Sequence, residues 1–403
     1  MSTSILYHGF GLINQEYLGT DYRDGAIIYR IRTKASELRC SNCNSYQVRP
    51  RGNKARTFKA PPIGKKAVYL KATIQRLECK ECGSIRQEKI KYADYKKTYT
   101  RSFQRYVIDL SKLMTIQDVS KILGVGWDMV KGILKEYLQK HYGQPDLKGV
   151  RSIAIDEIAV EKGHKYMTVV MDLKSGAIVF VGDGRDSESL IPFWKRLKRS
   201  GAKIEAVSID MSPAYIEAVV KNLSASKVVF DHFHIIKMYN DKLTELRRDL
   251  YNFETDAEKK LLKGTRWLLL KNQGTINDNI EAKKKLEEAL LINQPLSTAY
   301  YLKEELKLIW QQDDKQECQK VFGQWVAIAM ASGIRMLQKF AKTLLTHRTG
   351  IFNWYDHPIS SGPLEGFNNK IKVMKRQSYG FRDKEFFKLK IYSLHKTKYV
   401  LTG

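Results

Sequence analysis

A multidomain α+β architecture is expected of this 403-residue chain on three grounds: two C-x-x-C pairs sit among short alternating strands, a helix-turn-helix pattern follows, and an α/β texture then gives way to a long helical stretch. Apolar residues make up 43% of the chain, enough for two or three cores and too much for a largely disordered protein. Lys and Arg number 70 against 43 Asp and Glu, a net charge of +27 spread along the whole length. Such a field attracts nucleic acid or an anionic membrane. Membrane is the weaker choice, because the longest apolar stretches, such as "WVAIAMASGI" (325–334), fall short of the ~18 residues a span requires. The first residues lack the basic, apolar and small-residue order of a secretory signal, so an intracellular protein is expected. Five cysteines in such a compartment are read as metal or packing chemistry rather than disulfides.

Residues 1–97 alternate β-like runs, "GAIIYRIRT" and "AVYLKATI", with Gly, Pro and Asn turns. Among them lie "CSNC" (Cys40, Cys43) and "CKEC" (Cys79, Cys82), with 35 residues between the pairs. A C-x-x-C turn presents two thiolates to one ion, and two such turns complete a closed tetrahedral site for one structural zinc. This is the pattern of a zinc ribbon. Cys318, alone in a helical region, reads as a small core residue.

Residues 98–145 turn helical, and "TIQDVSKILGVGWDMVKGILKEYLQK" has helix-turn-helix spacing. Val119 and Leu123 face inward, Ser120 is small where the helices cross, Gly124 supplies the turn, and Val130 and Ile133 anchor the second helix. Gly126, Trp127, Asp128 and Lys131 are then exposed, and Trp127 and Lys131 are the expected DNA contacts in a major groove. The alternative is an ordinary helical hairpin packed on its neighbours.

From 150 the order strand, strand, strand, helix, strand, helix, strand suggests a mixed sheet, ending in "SKVVFDHFH" as a fifth strand. Residues 235–345 are then almost wholly helical, with no strand interrupting them, and the chain closes with "GPLEGFNNKIKVMKRQ", a turn at "SYGF" and a last helix. Asp156 closes the first strand and Asp210 the fourth. If those strands are parallel neighbours ~4.8 Å apart, both carboxylates emerge at one sheet edge, where α/β sheets place ligands. Their repulsion would be relieved by a divalent cation. A third carboxylate would complete sites for two magnesium ions, with manganese as a substitute. Glu365 is a candidate, in the first turn of a helix opened by Pro363; alternatively it only complements the helix dipole. Glu157, expected to face away from Asp156, and Asp172, before the "KSG" turn, are rivals. Asn368, Asn369 and Lys372 share a helical face with Glu365 and are expected beside the DNA backbone, with Lys375 and Arg376 extending the cationic track. Asp231, His232 and His234 follow the fifth strand near the same edge; alternation puts the two histidines on one face, either steering phosphate or as hydrogen-bonded structural groups.

These segments, "HPISSGPLEGFNNKIKVMKRQSYGFRD" with "SIAIDEIAV", "VSIDMSPAY", "VVFDHFHIIK" and the paired C-x-x-C ribbon, closely resemble the ISL-three family of bacterial insertion-sequence transposases, nearly end to end. The resemblance implies a zinc ribbon (1–97), a helix-turn-helix (98–145) and a ribonuclease-H-like catalytic domain (150–234 and 346–403) interrupted by a helical insertion (235–345). It implies a DDE triad of Asp156, Asp210 and Glu365. Double-stranded DNA, as element ends and target, would be the partner, bound by at least a homodimer in the bacterial cytoplasm, at the nucleoid. Two other readings stay open: a non-catalytic DNA-binding regulator, and a structure-specific nuclease of the same fold that cuts without joining.

Overall fold

Alternation of apolar side chains builds the first sheet. In a computed structural model, which describes residues 4–161, 163, 165–253, 255, 259–260, 262–271 and 280–396, Val68, Leu70, Ala72 and Ile74 point one way from a single strand and are buried. The chain divides into two units, Met1–Gly143 with Val373–Gly403, and Gln144–Lys372.

In the first unit, after helix α1 (Ile5–Phe10), strands β1 (Gln15–Arg23), β2 (Ala26–Thr33), β4 (Lys66–Cys79) and β3 (Val48–Ile63) lie in that order, and β5 (Ile85–Gln87) pairs with β4. Phe58, Val68 and Leu70 centre its core. Helices α2 (Arg101–Leu110), α3 (Ile116–Leu123) and α4 (Trp127–Tyr142) follow. Thr115 and Asp118 form a reciprocal capping box at the start of α3, and Gly124 ends it at φ 58°, the left-handed turn a helix-turn-helix needs. Val119, Ser120, Leu123, Val130 and Ile133 are buried, as the spacing required.

A helix from the far end of the chain completes that core. Phe386 and Leu389, three apart on the helix Lys384–Ser393, pack among the side chains of α2 to α4. Residues 373–403, expected with the catalytic domain, thus cluster with the helix-turn-helix; of these, 397–403 lie outside the described residues.

In the second unit β6 (Ser152–Glu161), β7 (Lys165–Asp172) and β8 (Ile178–Asp183) form an antiparallel meander, and β9 (Ala206–Ile209) and β10 (Lys227–Phe230) add in parallel on the other side of β6. The order is β10-β9-β6-β7-β8. Helices α5 (Ile191–Ser200) and α6 (Pro213–Asn222) lie between β8, β9 and β10 in sequence. Among the described residues the helices that follow include α7 (His232–Phe253), α8 (Arg266–Leu270), α9 (Ile280–Ile292), α10 (Gln294–Leu308), α11 (Lys315–Ala331), α12 (Arg335–Asp356) and α13 (Gly362–Gln377). The helix Lys384–Ser393 is then α14. Among the described residues of 235–345 there is no strand, and residues 254, 256–258, 261 and 272–279 of that stretch lie outside them.

Both expected ends of the insertion fall inside helices, α7 and α12, because the helices share one core with the sheet. Tyr239 of α7 packs edge-on to Phe340 of α12 and donates a hydrogen bond to the Ala299 carbonyl at 2.7 Å. Asn353 Nδ2 donates to the Val228 carbonyl of β10 at 2.8 Å, and a Cβ at Gly350 would stand 2.3 Å from the Phe230 ring. Glycine lets α12 lie against the strand that precedes the site. Among the described residues no helix is long and apolar enough to cross a membrane.

Candidate active site and metal centre

The four cysteines converge as their spacing required. Their sulfurs all lie within 4.8 Å of one another, and among the described residues this is the group of three or more ligand atoms gathered so closely. Each C-x-x-C pair is folded by the same backbone device. Cys40 N–H donates to the Ser45 carbonyl and Asn44 N–H to Cys40; Cys79 N–H donates to Ser84 and Gly83 N–H to Cys79. Asn44 (φ 63°) and Gly83 (φ 66°) take the left-handed positions that close these turns. Thiols this close cannot all ionise alone. Hydrogen bonds led by the Ser84 hydroxyl bring Cys82 down to about 5. Against the Ser45 N–H, contact with Cys79 and burial drive Cys43 up to about 12. A divalent ion is what allows four thiolates together, so the donor set fits zinc.

Asp156 and Asp210 come to one sheet edge, although among the described residues the three expected carboxylates are not gathered as closely as the cysteine sulfurs. Register pairs Ile153 with Val207 and Ala154 with Ser208, so Asp156 and Asp210 each stand two residues beyond the last parallel pair and on the same face. Asp210 follows β9 directly, whereas β6 runs on past Asp156 to Glu161 because its other edge stays paired with β7. Asp156 therefore lies just past the ladder with β9 and inside the strand, not at its end. Burial is the main cause that raises its carboxyl, and the charges of Asp210 and Glu365 add to this; the Glu157 N–H and His234 oppose it.

Asn368, expected at the DNA backbone, is instead buried and donates its Nδ2 to Asp156 Oδ2 at 2.8 Å. Its helical offset of three from Glu365 was the legible signal, but burial turns the side chain to the carboxylate. The Oδ1 of Asn368 is buried without a hydrogen-bond partner. Glu157 also departs from expectation. Its carboxyl is raised by burial first and then by Asp210 and Asp156, so it stands within their field, with Arg185 opposing. Past Ala154 that edge of β6 has no ladder partner, which leaves room for this. Asp172 is accounted for by its turn, accepting from the N–H groups of Lys174 (3.2 Å) and Ser175 (3.1 Å).

"DHFH" is not strand. β10 stops at Phe230 and α7 starts at His232, so the histidines are two apart on a helix and do not share a face. His232 is exposed, with Nδ1 3.6 Å from Asp231 Oδ1, while His234 acts on Asp156 electrostatically. Asp231 is buried. Its Oδ2 accepts from Ser361 N–H (2.5 Å), Ser361 Oγ (2.6 Å) and Ser360 Oγ (3.0 Å), and its Oδ1 from Phe233 N–H (2.8 Å). Asp231 thus pins the Ser-Ser turn from which α13 departs with Glu365 in its first turn. No local pattern announces a partner 130 residues away.

Glu365, Asn369, Lys372 and Arg376 are exposed on α13, and Lys375 is half-buried. On α4, Trp127 is exposed, but Lys131 is not the free cation expected. Its Nζ is 3.0 Å from Asp383, which also binds Lys135 at 2.9 Å, and lies 5.3 Å from the Trp127 ring centre. Asp383 caps the C-terminal helix, so the docking of that helix explains the pairing.

Comparison with known proteins gives three family matches: a transposase model over residues 153–391, the zinc-finger of transposase IS204/IS1001/IS1096/IS1165 over 36–82, and the helix-turn-helix domain of transposase family ISL3 over 88–138. The chain is similar to the transposase for insertion sequence element IS1001 of Bordetella parapertussis, 31% identical over 397 residues that cover 96% of this chain and 95% of the relative. It is similar to the transposase for insertion sequence element IS1557 of Mycobacterium tuberculosis (strain CDC 1551 / Oshkosh), 26% identical over 91% of this chain and 88% of the relative.

Proposed function

The chain belongs to the ISL3 family of insertion-sequence transposases, and from that premise we propose that Asp156, Asp210 and Glu365 are its catalytic carboxylates, holding two magnesium ions, with manganese able to replace them. A zinc ribbon and a helix-turn-helix precede its ribonuclease-H-like catalytic domain, and it is a DNA transposase that binds DNA through them. The observation that carries the triad is the shared register of Asp156 and Asp210 at one sheet edge, with the charge of Glu365 felt by Asp156.

The bound metal would supply an activated oxygen nucleophile and charge neutralisation at the phosphodiester. Asn368 Nδ2 fixes Asp156 Oδ2 and the Glu157 N–H fixes Oδ1, each at 2.8 Å, so the carboxylate is held in place while each oxygen keeps one acceptor site for a ligand. Asp231 holds the turn that sets where Glu365 begins its helix. Exposed Asn369, Lys372 and Arg376 offer donors to the DNA backbone. Hydrolysis at an element end frees a 3′-hydroxyl, which attacks a phosphodiester of a target strand and displaces that strand's own 3′-oxygen, so one such bond is made as one is broken and no side chain needs to form a covalent intermediate. Two ends must be joined, which calls for at least a dimer on DNA, acting at the bacterial nucleoid.

Incubating the protein with magnesium and duplexes bearing the element's ends tests this reading. Cut and joined products are expected. Cutting without joining would leave the nuclease, and binding with neither would leave the regulator.

One structural zinc would be held by Cys40, Cys43, Cys79 and Cys82. Elemental analysis is expected to find one zinc per chain, and none in a Cys79→Ser/Cys82→Ser variant; an unchanged zinc content there would refute the site.

A further inference from the structure

At the end of α13 the residue that belongs in glycine's place is a tyrosine. Tyr379 N–H donates to the Arg376 carbonyl (3.1 Å) and Gly380 N–H to the Lys375 carbonyl (3.0 Å), the two bonds of a Schellman motif. That motif puts its first residue past the cap in the left-handed region, and Tyr379 stands there at φ 51°. A bulky side chain at such an angle is strained, and glycine would not be. Packing does not compensate. The Tyr379 side chain is 100% exposed, the fullest exposure of any large apolar or aromatic residue described.

The strained tip is nevertheless held firmly on both sides. Before it lies α13; after it, the Phe381 ring stacks on Phe387 with centroids 4.7 Å apart. Asp383 then caps α14 through the Phe386 N–H and binds Lys131 and Lys135 of α4. Tip and recognition helix belong to one unit, Met1–Gly143 with Val373–Gly403. Within five residues of Tyr379 along the chain stand Lys375, Arg376, Arg382 and Lys384, and none of these has an acidic partner among the described residues.

We propose that Tyr379 is a base-stacking site: the exposed phenol, flanked along the chain by cations, takes an unstacked nucleobase of DNA while the cations hold the flanking phosphates. An aromatic face with adjacent positive charge is the chemistry that binds a base without reading its identity. With the backbone at the tip already set by the end of α13 and the Phe381–Phe387 stack, binding has only the side-chain torsions of Tyr379 left to order. The proposal rests on the reading of this unit as DNA-binding and adds to it a contact outside the helix-turn-helix.

The test uses the full-length protein and two duplexes of the same arbitrary sequence, one fully paired and one with a single base opposite an abasic position. Wild-type protein is expected to prefer the duplex with the unpaired base. Tyr379→Ala should lose that preference, binding this duplex about tenfold more weakly, and Tyr379→Trp should keep it. Tyr379→Gly should lose it too, with a Tm equal to or above that of wild type, because glycine relieves the backbone; loss of folding then cannot explain the result. Unchanged preference in the Ala and Gly variants would overturn the proposal while DNA binding stands. Altered sedimentation of the DNA-free variants with unchanged preference would overturn it in favour of a contact between copies of the chain. Wild-type protein that bound neither duplex would overturn both this proposal and the DNA-binding reading beneath it.

Discussion

Asp156→Ala, Asp210→Ala and Glu365→Ala are each expected to reduce magnesium-dependent cleavage and joining on the order of 10³-fold or more, with end binding nearly intact. Losing a ligand displaces an ion whose position must match an in-line displacement, and misplacement alone is costly at a reacting centre. Binding should survive because it rests on the helix-turn-helix and on a net charge of +27, neither of which uses these groups. Removing a negative charge from beside the DNA tightens binding slightly, if anything. Gel assays of cleavage and joining, beside binding isotherms at one fixed salt concentration, measure both effects. An active Glu365→Ala protein would end the triad assignment and return that residue to a helix-dipole role. Glu157 does not serve as a silent control, since its carboxyl shares the field of Asp156 and Asp210. Glu217, exposed on α6, does.

What could be read from the sequence was local or periodic. Two C-x-x-C turns carry their geometry within a few residues each, and so does the α3–α4 turn with its capping box and left-handed Gly124. Asp156 and Asp210 were legible because a strand's alternation fixes the face, and a buried parallel strand shows itself by composition. What failed depended on partners far away in the chain. β6 ends at different residues on its two edges, which no single-strand pattern reveals. Lys131 looked like a free cation until Asp383, 252 positions on, came to lie beside it. The two histidines of "DHFH" were assigned by a strand's period although the helix had already begun, and the Asp between strand and helix was the missed boundary signal.

That Asp231 yields the second large effect. Asp231→Asn is expected to destabilise the second unit by about 2–4 kcal/mol, because a buried acceptor of several hydrogen bonds is replaced by a group that must present N–H to at least one donor. Cleavage should fall further than stability explains, on the order of 10²-fold, since the released Ser360–Ser361 turn no longer fixes the start of α13 and with it Glu365. The pH dependence has a definite sign. Burial, the largest single influence, raises the Asp231 carboxyl, but the bonds from Ser361 and Phe233, with His232 nearby, outweigh it and leave the group below the ordinary carboxylate value. A carboxyl depressed in the folded state stabilises fully above its unfolded value of about 4, and that contribution is lost as pH falls through the folded value. The Tm difference between wild type and Asp231→Asn should therefore be constant from neutral pH to about 5 and shrink at lower pH. Thermal melts across that range, paired with cleavage assays at neutral pH and a temperature well below both midpoints, separate the two roles. A variant with a normal Tm and normal cleavage would show that the Ser-Ser turn holds without Asp231, and the positioning of Glu365 would have to come from α13 itself.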